Sequence, residues 1–492
     1  MYAYLYFIRL LKFCIEKIIC FFDINISKKQ KSIIFDTDSY KLCHENMSKT
    51  RNGIKIIYDH SYLEARTGSQ YDETTFFGLQ ILLHKLSGVV ITTEDIDALE
   101  KDANLHMGKG IFDRTTWDYI VAIHGGRLPI SIKAVPEGTT VPVGNVLMTV
   151  VNTDPKCSAI VGYFETFHTR VWYPSTVATI SRNVKKMCVK YQILTCDNMD
   201  SLPFMLHDFG SRGVSSSESA AIGGSAHLVN FKGTDTFSAI SLIREVYMQN
   251  DLSYMPGFSV PATQHSVMTA GGPEGEYKII ENLLDMYPIG ILSMVLDSYD
   301  IYDAVKYLST KLKEKVLARN GKVVVRPDSG DPIEVTIRIA NILYDNFGGS
   351  INSKGYKQLD PKVGIIYGDG LTPKMIEQIF EALMKNGFET TIVCGMGGGL
   401  LQKSNRDTQR FAYKCSAVQT EDNIWHDVFK DPVGGGKTSK KGQLKLINDN
   451  GEFCTVRINE KPECKNCLRE VFRDGKILIP QTFEEIRKIA EI

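Results

Sequence analysis

Four apolar runs in the second half of the chain each stop at a cluster of charged or small residues, and this repeat constrains the fold more than any other feature. They are Gly290-Ile-Leu-Ser-Met-Val-Leu-Asp297-Ser-Tyr-Asp300, Val323-Val-Val-Arg326-Pro-Asp328-Ser-Gly330, Val363-Gly-Ile-Ile-Tyr-Gly368-Asp369-Gly370 and Thr391-Ile-Val-Cys-Gly395-Met-Gly-Gly-Gly399. Short unbroken stretches of β-branched and aliphatic residues suit parallel strands buried on both faces. The polar cluster then falls at each strand's carboxyl end. Counted through Asp297, Asp328, Asp369 and Gly398, successive clusters lie 31, 41 and 29 residues apart. That is near the ~31 residues per unit of an eight-unit βα barrel of about 250 residues, whose active site is built from the carboxyl-end loops. Asp297, Arg326, Asp328, Asp369 and the run Gly397 to Gly399 are therefore expected to line one pocket.

The chain of 492 residues exceeds one typical domain, and 43% hydrophobic residues support two or three closely packed ones. Its 57 basic residues balance 57 acidic ones, which removes the overall charge bias that favours nucleic acid or acidic membranes. Eleven cysteines without regular spacing read as reduced intracellular thiols, so the cytoplasm is the expected compartment. Cys464-Lys-Asn-Cys467 lacks the two further ligands of a zinc site and the βαβ context of a redox pair, and reads as two ordinary thiols.

Residues 1–32 form an N-terminal extension. Leu5, Ile8, Leu11, Ile15 and Ile18 recur at helical spacing, but Arg9, Lys12, Glu16 and Lys17 cut every apolar run far short of the ~20 residues that span a bilayer. An interfacial anchor, a weak organellar presequence and a plain amphipathic or disordered extension stay open, with membrane contact the less favoured reading. Residues 33–182 read as an α+β domain, with antiparallel strands at 128–135 and 146–151. The βα rhythm runs through 183–399, where Leu228-Val-Asn-Phe231 is expected to be a further strand ahead of Gly233-Thr-Asp235. Residues 400–492 hold a basic loop, a strand pair and a last helix opened by a capping box of Thr482 and Glu485, completing the α+β domain.

Several clusters can carry chemistry. His207-Asp208-Phe209-Gly210-Ser-Arg212-Gly213 sets a ring that can stack on a planar heterocycle beside a guanidinium that pairs with phosphate, although a buried Phe and a surface Arg explain the same letters. Asp235, as an acceptor-only carboxylate, can take a hydrogen bond from an amide and repel an acid analogue, or it is a turn residue. His265 follows a proline-fixed loop, where it can act as base or nucleophile or be simply hydrogen-bonded. Arg326 and Asp328 on one rigid turn suit a charged group beside a ribose diol. Gly368-Asp369-Gly370 suits a second sugar hydroxyl or a metal. Gly395-Met-Gly-Gly-Gly399 reads as a turn opening a helix, where backbone N–H groups receive a phosphate, or merely as a tight turn. Gly436-Lys437-Thr438 fails as a P-loop because Asp431 stands where the first glycine is required. Lys430, Lys437, Lys440 and Lys441 instead face a polyphosphate or solvent.

Together with Asp38-Ser-Tyr40-Lys41 and Ser225-Ala-His-Leu-Val-Asn-Phe-Lys-Gly-Thr-Asp235, these strings resemble the nicotinamide phosphoribosyltransferases, a type II phosphoribosyltransferase family, over about residues 33 to 490. The resemblance implies an α/β fold, with an irregular (β/α) barrel packed on an α+β domain formed by the N- and C-terminal parts. It implies a homodimer with shared active sites that condenses nicotinamide with phosphoribosyl pyrophosphate to nicotinamide mononucleotide and diphosphate in NAD salvage. Mg2+ is the implied cofactor, and ATP is the coupling substrate that phosphorylates His265. The ring would lie between Phe209 and Tyr40 of the second copy, with Asp235 on the carboxamide. Arg212, Arg326, Asp328, Ser259 and Ser293 would surround the ring and ribose. Gly368, Asp369, Gly397, Gly398 and Arg406 would hold the 5′-phosphate. Arg66, His265, Lys414, Lys430 and Lys437 would meet pyrophosphate or ATP. His265, Asp297, Arg326 and Asp328 form the implied catalytic set, with Mg2+ held mainly by substrate phosphates near Asp297 and Asp369. Three positions depart from the family pattern: Gln264 stands for Glu, Ala412 for Ser and Ser211 for Tyr. The alternatives are a nicotinate phosphoribosyltransferase, against which Asp235 argues, and a catalytically weak binding or signalling relative.

Overall fold

The structure, a computed structural model, describes residues 32–368, 370–434 and 438–492. Residues 1–31 of the extension, Asp369 and Lys437 lie outside the described residues.

The apolar runs fold as parallel strands. Six of them, in spatial order Gly233–Thr234, Leu206–Asp208, Val393–Met396, Val363–Tyr367, Asn320–Arg326 and Ile289–Val295, form one curled sheet. Residues 257–263 join its two edges. Gly233 bridges Phe258 and Ala262 bridges Ser293, both in parallel sense. The Phe258 N–H donates to Lys232 O at 2.7 Å, and the Thr263 N–H donates to Ser293 O at 3.0 Å. Pro256 and Pro261 cannot donate to a ladder, so this seam closes the ring without forming a regular strand.

Outward residues Leu292, Met294, Val323, Val325, Val363 and Ile365 share one buried core with Leu308, Ile339, Leu343, Ile376 and Phe380. These last belong to the helices Ile301–Thr310, Pro332–Phe347 and Pro373–Lys385. Each helix starts on a side-chain cap: Asp300 accepts from Tyr302 and Asp303, Asp331 from Ile333 and Glu334, and Thr372 from Met375. Pro332 and Pro373 occupy first-turn positions that need no donor. On the strands' other face Ile291, Lys322, Val324 and Gly364 keep partial exposure, so the ring's interior is not packed solid.

The second layer is an antiparallel sheet woven from both ends of the described chain. Phe411–Thr420 pairs with Ile54–Ala65, which pairs with Val146–Asn152; Ile130–Ala134 lies between Val146–Asn152 and Arg469–Arg473. The 24-residue helix Trp172–Thr195 carries Val177, Val184, Cys188 and Tyr191 into the barrel core. The capping box of Thr482 and Glu485 forms, and the short helix Phe483–Ile489 sets Phe483 against Phe77 and Tyr247. No helix among the described residues is long and apolar enough to cross a membrane. The nine cysteines recorded among them are free.

Two local expectations are corrected. Leu228–Phe231 is not a strand but the exit turn of helix Ser217–His227, with the Leu228 N–H donating to Gly224 O and that of Phe231 to His227 O. A four-residue apolar run is buried equally well in either conformation, and here the strand is only Gly233–Thr234. The helix after the glycine run is a single turn, Gly398–Leu401, so it contributes free N–H groups but little dipole.

Candidate active site

The carboxyl ends of the parallel strands gather two linked constellations. In the first, Asp297 follows strand Ile289–Val295, and its side chain is only 4% exposed. Its Oδ1 faces His265 Nε2 at 3.0 Å. Its Oδ2 accepts from the Asp328 N–H at 2.9 Å and the Ser329 hydroxyl at 2.6 Å. A buried carboxylate is costly unless its lone pairs are taken, and here both oxygens are engaged. His265 opens the short helix His265–Met268 and is half exposed, with Nδ1 3.9 Å from Asp328 Oδ2. Gln264 turns aside, donating from Nε2 to Ser266 Oγ at 2.7 Å.

In the second, Asp235 Oδ1 accepts from His207 Nε2 at 3.0 Å and from the Ser259 hydroxyl, while no hydrogen bond among the described residues reaches Oδ2. Burial pushes the Asp235 carboxyl up, but the His207 hydrogen bond and charge, Ser259 and the Arg326 charge outweigh it and hold the group below the usual aspartate range. The rings of His207 and Phe209 lie 5.0 Å apart, so the carboxylate and the aromatic face share one neighbour.

The glycines of the mouth are explained by Phe209. A methyl on Gly395 would run into its ring, and one on Gly368 would stand 3.4 Å from the ring and 2.9 Å from Asp328 Oδ1. The Phe209 N–H donates to Met396 O at 3.1 Å, and Asp208, fully buried, accepts from the Gly210 N–H at 2.7 Å. The ring is thus fixed from both sides. Arg326, at the end of strand Asn320–Arg326, keeps a buried Nε with no partner among the described residues. Ser293 lies on the adjoining strand, bonded through its backbone to the seam that carries Ser259. Gly397 borders the Phe209 loop and Gly398 faces the Gln402 side chain, while Arg212 and Arg406 are exposed. A cavity of about 760 Å3 opens beside the mouth, between Trp172, Tyr173, Gly213 and Gln402.

The remaining expected residues lie in the α+β region. Tyr40 is 53% exposed on the turn Ser39–Cys43. Lys414 Nζ donates to Tyr413 O at 2.6 Å and pairs with Glu165, which also holds Lys41. Arg66 pairs with Glu64, as does Lys440. Lys430 is exposed. His207 and Ser329, which orient Asp235 and Asp297, were not among the expected site residues. The signal lay in strand adjacency: His207 pairs with Gly233 and Asp208 with Thr234, which sets one polar strand end beside the other.

Taken as a fold, the chain resembles the crystal structure of nicotinate-nucleotide pyrophosphorylase from Pyrococcus furiosus, with TM-score 0.57, 14% identity and coverage of 95% of this chain and 97% of that one. It likewise resembles that of human nicotinic acid phosphoribosyltransferase, with TM-score 0.54, 16% identity and 92% of both chains covered. This architecture is that of the type II phosphoribosyltransferases. The nicotinate phosphoribosyltransferase (NAPRTase) family model matches residues 204–476, and the nicotinamide phosphoribosyltransferase N-terminal domain matches 32–132. A protein of Xanthomonas campestris pv. campestris named nicotinamide phosphoribosyltransferase is 42% identical over 472 residues, covering 94% of this chain and 98% of the relative. One of the same name from Acinetobacter baylyi is 35% identical over 75% of this chain and 78% of its own length. The chain belongs to the nicotinamide phosphoribosyltransferase branch of the NAPRTase family, and it is a phosphoribosyltransferase enzyme.

Proposed function

We propose that this enzyme condenses nicotinamide with 5-phosphoribosyl 1-pyrophosphate, giving nicotinamide mononucleotide and diphosphate as a step of cytoplasmic NAD salvage. The observation that carries the reading is Asp235: an ionised carboxylate with one oxygen engaged and the other open, one imidazole away from the Phe209 ring. A ring stacked on Phe209 would present a carboxamide N–H2 to that oxygen. The carboxylate of nicotinate would meet like charge there, at a cost of about 4 kcal/mol at 4 Å and an effective dielectric near 20. The names of the two bacterial relatives point the same way.

Arg326, with its unpartnered Nε, serves the phosphoribosyl group, and the open Asp328 carboxylate suits the ribose hydroxyls. Departure of diphosphate leaves a cationic, oxocarbenium-like sugar, so the protein's work is positioning, charge stabilisation and exclusion of water. Magnesium would neutralise the leaving group. Both Asp297 oxygens are engaged, so the ion's ligands would come mainly from phosphates and water, with Asp328 the carboxylate beside them that could contribute.

His265 is the group phosphorylated by ATP in this reading. With its Nε2–H donated to Asp297, the lone pair rests on Nδ1. Attack of Nδ1 on the γ-phosphorus forms the P–N bond as the bond to ADP breaks. Gln264 leaves this histidine without a second carboxylate in sequence, and ATP coupling therefore depends on Asp297. Tyr40 and Arg66 complete the site from a second copy of the chain, since they lie in the α+β region, among contacts other than those that build the mouth.

The test is product formation by purified enzyme with magnesium, phosphoribosyl pyrophosphate and either nicotinamide or nicotinate, with and without ATP. Nicotinamide mononucleotide formed faster with ATP is expected. Product from nicotinate alone overturns the substrate assignment, and tight binding of the mononucleotide without turnover favours a binding protein.

A further inference from the structure

The described residues carry one convergence of metal-ligating side chains, and it lies in the α+β region. His124 closes the helix Thr115–His124, after which Gly125 turns the chain in the left-handed region at φ 58°. Asp154 and Cys157 stand on the turn that follows strand Val146–Asn152, where the Cys157 N–H donates to Asp154 O at 3.0 Å. One ligand atom from each of the three, an imidazole nitrogen, a carboxylate oxygen and Sγ, lie within 4.8 Å of one another.

The set is held in place by neighbours. Asp154 Oδ1 accepts from the Lys156 N–H at 2.8 Å, while Oδ2 accepts from the Tyr119 hydroxyl at 3.1 Å and faces His124 Nε2 at 2.9 Å. Such outer partners orient a carboxylate ligand and its imidazole. Cys157 is fully buried and is a free thiol. His124 and Asp154 keep 23% and 16% exposure, which leaves one side of the cluster open to water.

We propose that His124, Asp154 and Cys157 bind a borderline divalent transition metal, Zn2+ foremost, which ties the end of one helix to the turn leaving the central sheet. A mixed nitrogen, oxygen and sulfur set suits zinc, whereas magnesium and calcium take oxygen ligands, so this site is separate in chemistry from the magnesium of the reaction. Ligands at ~2.0–2.3 Å on a tetrahedron stand about 3.3–3.8 Å apart, within reach of the present positions by small side-chain rotations. On binding, the His124 to Asp154 hydrogen bond is replaced by two metal bonds, the Cys157 thiol releases its proton to water, and a solvent molecule takes the fourth position. Carboxylate and thiolate together then balance the charge of the ion. The nearby cation, Lys156, lies over the Tyr119 ring at 4.7 Å.

The experiment is Co2+ titration of the metal-stripped full-length protein. A thiolate-to-cobalt absorption in the near ultraviolet, with the visible bands of a four-coordinate ion, is expected to saturate at one equivalent and to be bleached by Zn2+ but not by Mg2+. Cys157→Ser and His124→Gln should each lose that band, while Cys464→Ser keeps it. Because His124 is partly exposed, His124→Gln remains folded, as a wild-type rate of product formation and circular dichroism would register. Absence of the band in the parent protein, or a band of parental size in either Cys157→Ser or His124→Gln, overturns the proposal.

Discussion

The barrel mouth and the α+β layer both gather charged residues but use them differently. At the mouth the charges orient one another and leave valences open: Asp297 fixes His265, His207 fixes Asp235, and Asp235 Oδ2 and Arg326 Nε have no partner among the described residues. In the α+β layer several cations are neutralised at home, Lys41 and Lys414 by Glu165, Arg66 and Lys440 by Glu64. The first region is organised to receive a ligand within one chain. In the proposed reaction the second would exchange a local carboxylate for a phosphate, and the partly exposed Lys414–Glu165 pair, worth about 0–1 kcal/mol, would yield most readily to a multiply charged group.

The sharpest way to break this comparison is to remove the mouth's open donor. Arg326→Ala is expected to lower kcat/KM by about 10²–10³-fold, or ~3–4 kcal/mol, whereas Lys414→Ala should cost no more than ~10-fold, measured by steady-state kinetics over phosphoribosyl pyrophosphate. Equal losses would erase the distinction. Similar in size, Asp235→Asn should cut the preference for nicotinamide over nicotinate by up to ~10³-fold, because the like-charge cost of about 4 kcal/mol against the acid disappears; competition between the two substrates reads it directly. His265→Ala should abolish the ATP stimulation altogether, and a stimulation that survives removes the phosphohistidine from the mechanism. Mixing inactive Tyr40→Ala with inactive Phe209→Ala should restore about a quarter of normal activity, since half the random dimers are mixed and each has one intact site. No recovery would mean that the two rings never meet.

The smallest effect concerns His168, fully buried against Tyr413 with neither ring nitrogen partnered among the described residues. Burial pushes its pKa down to about 3. The unfolded chain therefore takes up a proton below pH 6.5 that the folded chain refuses, so this contribution to stability is full above pH 6.5 and is lost as pH falls towards 3, by about 1.4 kcal/mol per pH unit. His168→Met should remove that slope from the difference between the denaturation curves at pH 7 and pH 5. Buried Asp59, raised to about 6 by burial, drifts the opposite way and cancels in the same subtraction.

Much of the barrel was legible in the chain itself because buried parallel strands need unbroken apolar runs, and the runs before Asp297, Arg326 and Gly368 are strands as read. The run at Leu228 to Phe231 misled because four apolar residues satisfy a helical turn equally well. Asp297, Arg326 and Asp328 were legible as strand-end residues, but their partners were not. The contact of His265 with Asp297 spans 32 residues and that of His207 with Asp235 spans 28, and register, not composition, brings each pair together. The glycines read as a phosphate turn owe at least part of their identity to the bulk of Phe209, a packing demand that no spacing rule contains.

The seam at 257–263 has a consequence for how the two constellations communicate. It carries Ser259, which touches Asp235, and leads within two residues to His265, which touches Asp297. Unlike the rest of the wall, it is fastened by isolated bridges instead of a continuous ladder. In the proposed reaction a shift in this loosely stitched hem would displace Ser259, at the ring's amide end, and His265, at the phosphate end, together, because the two stand six residues apart on one strip of backbone.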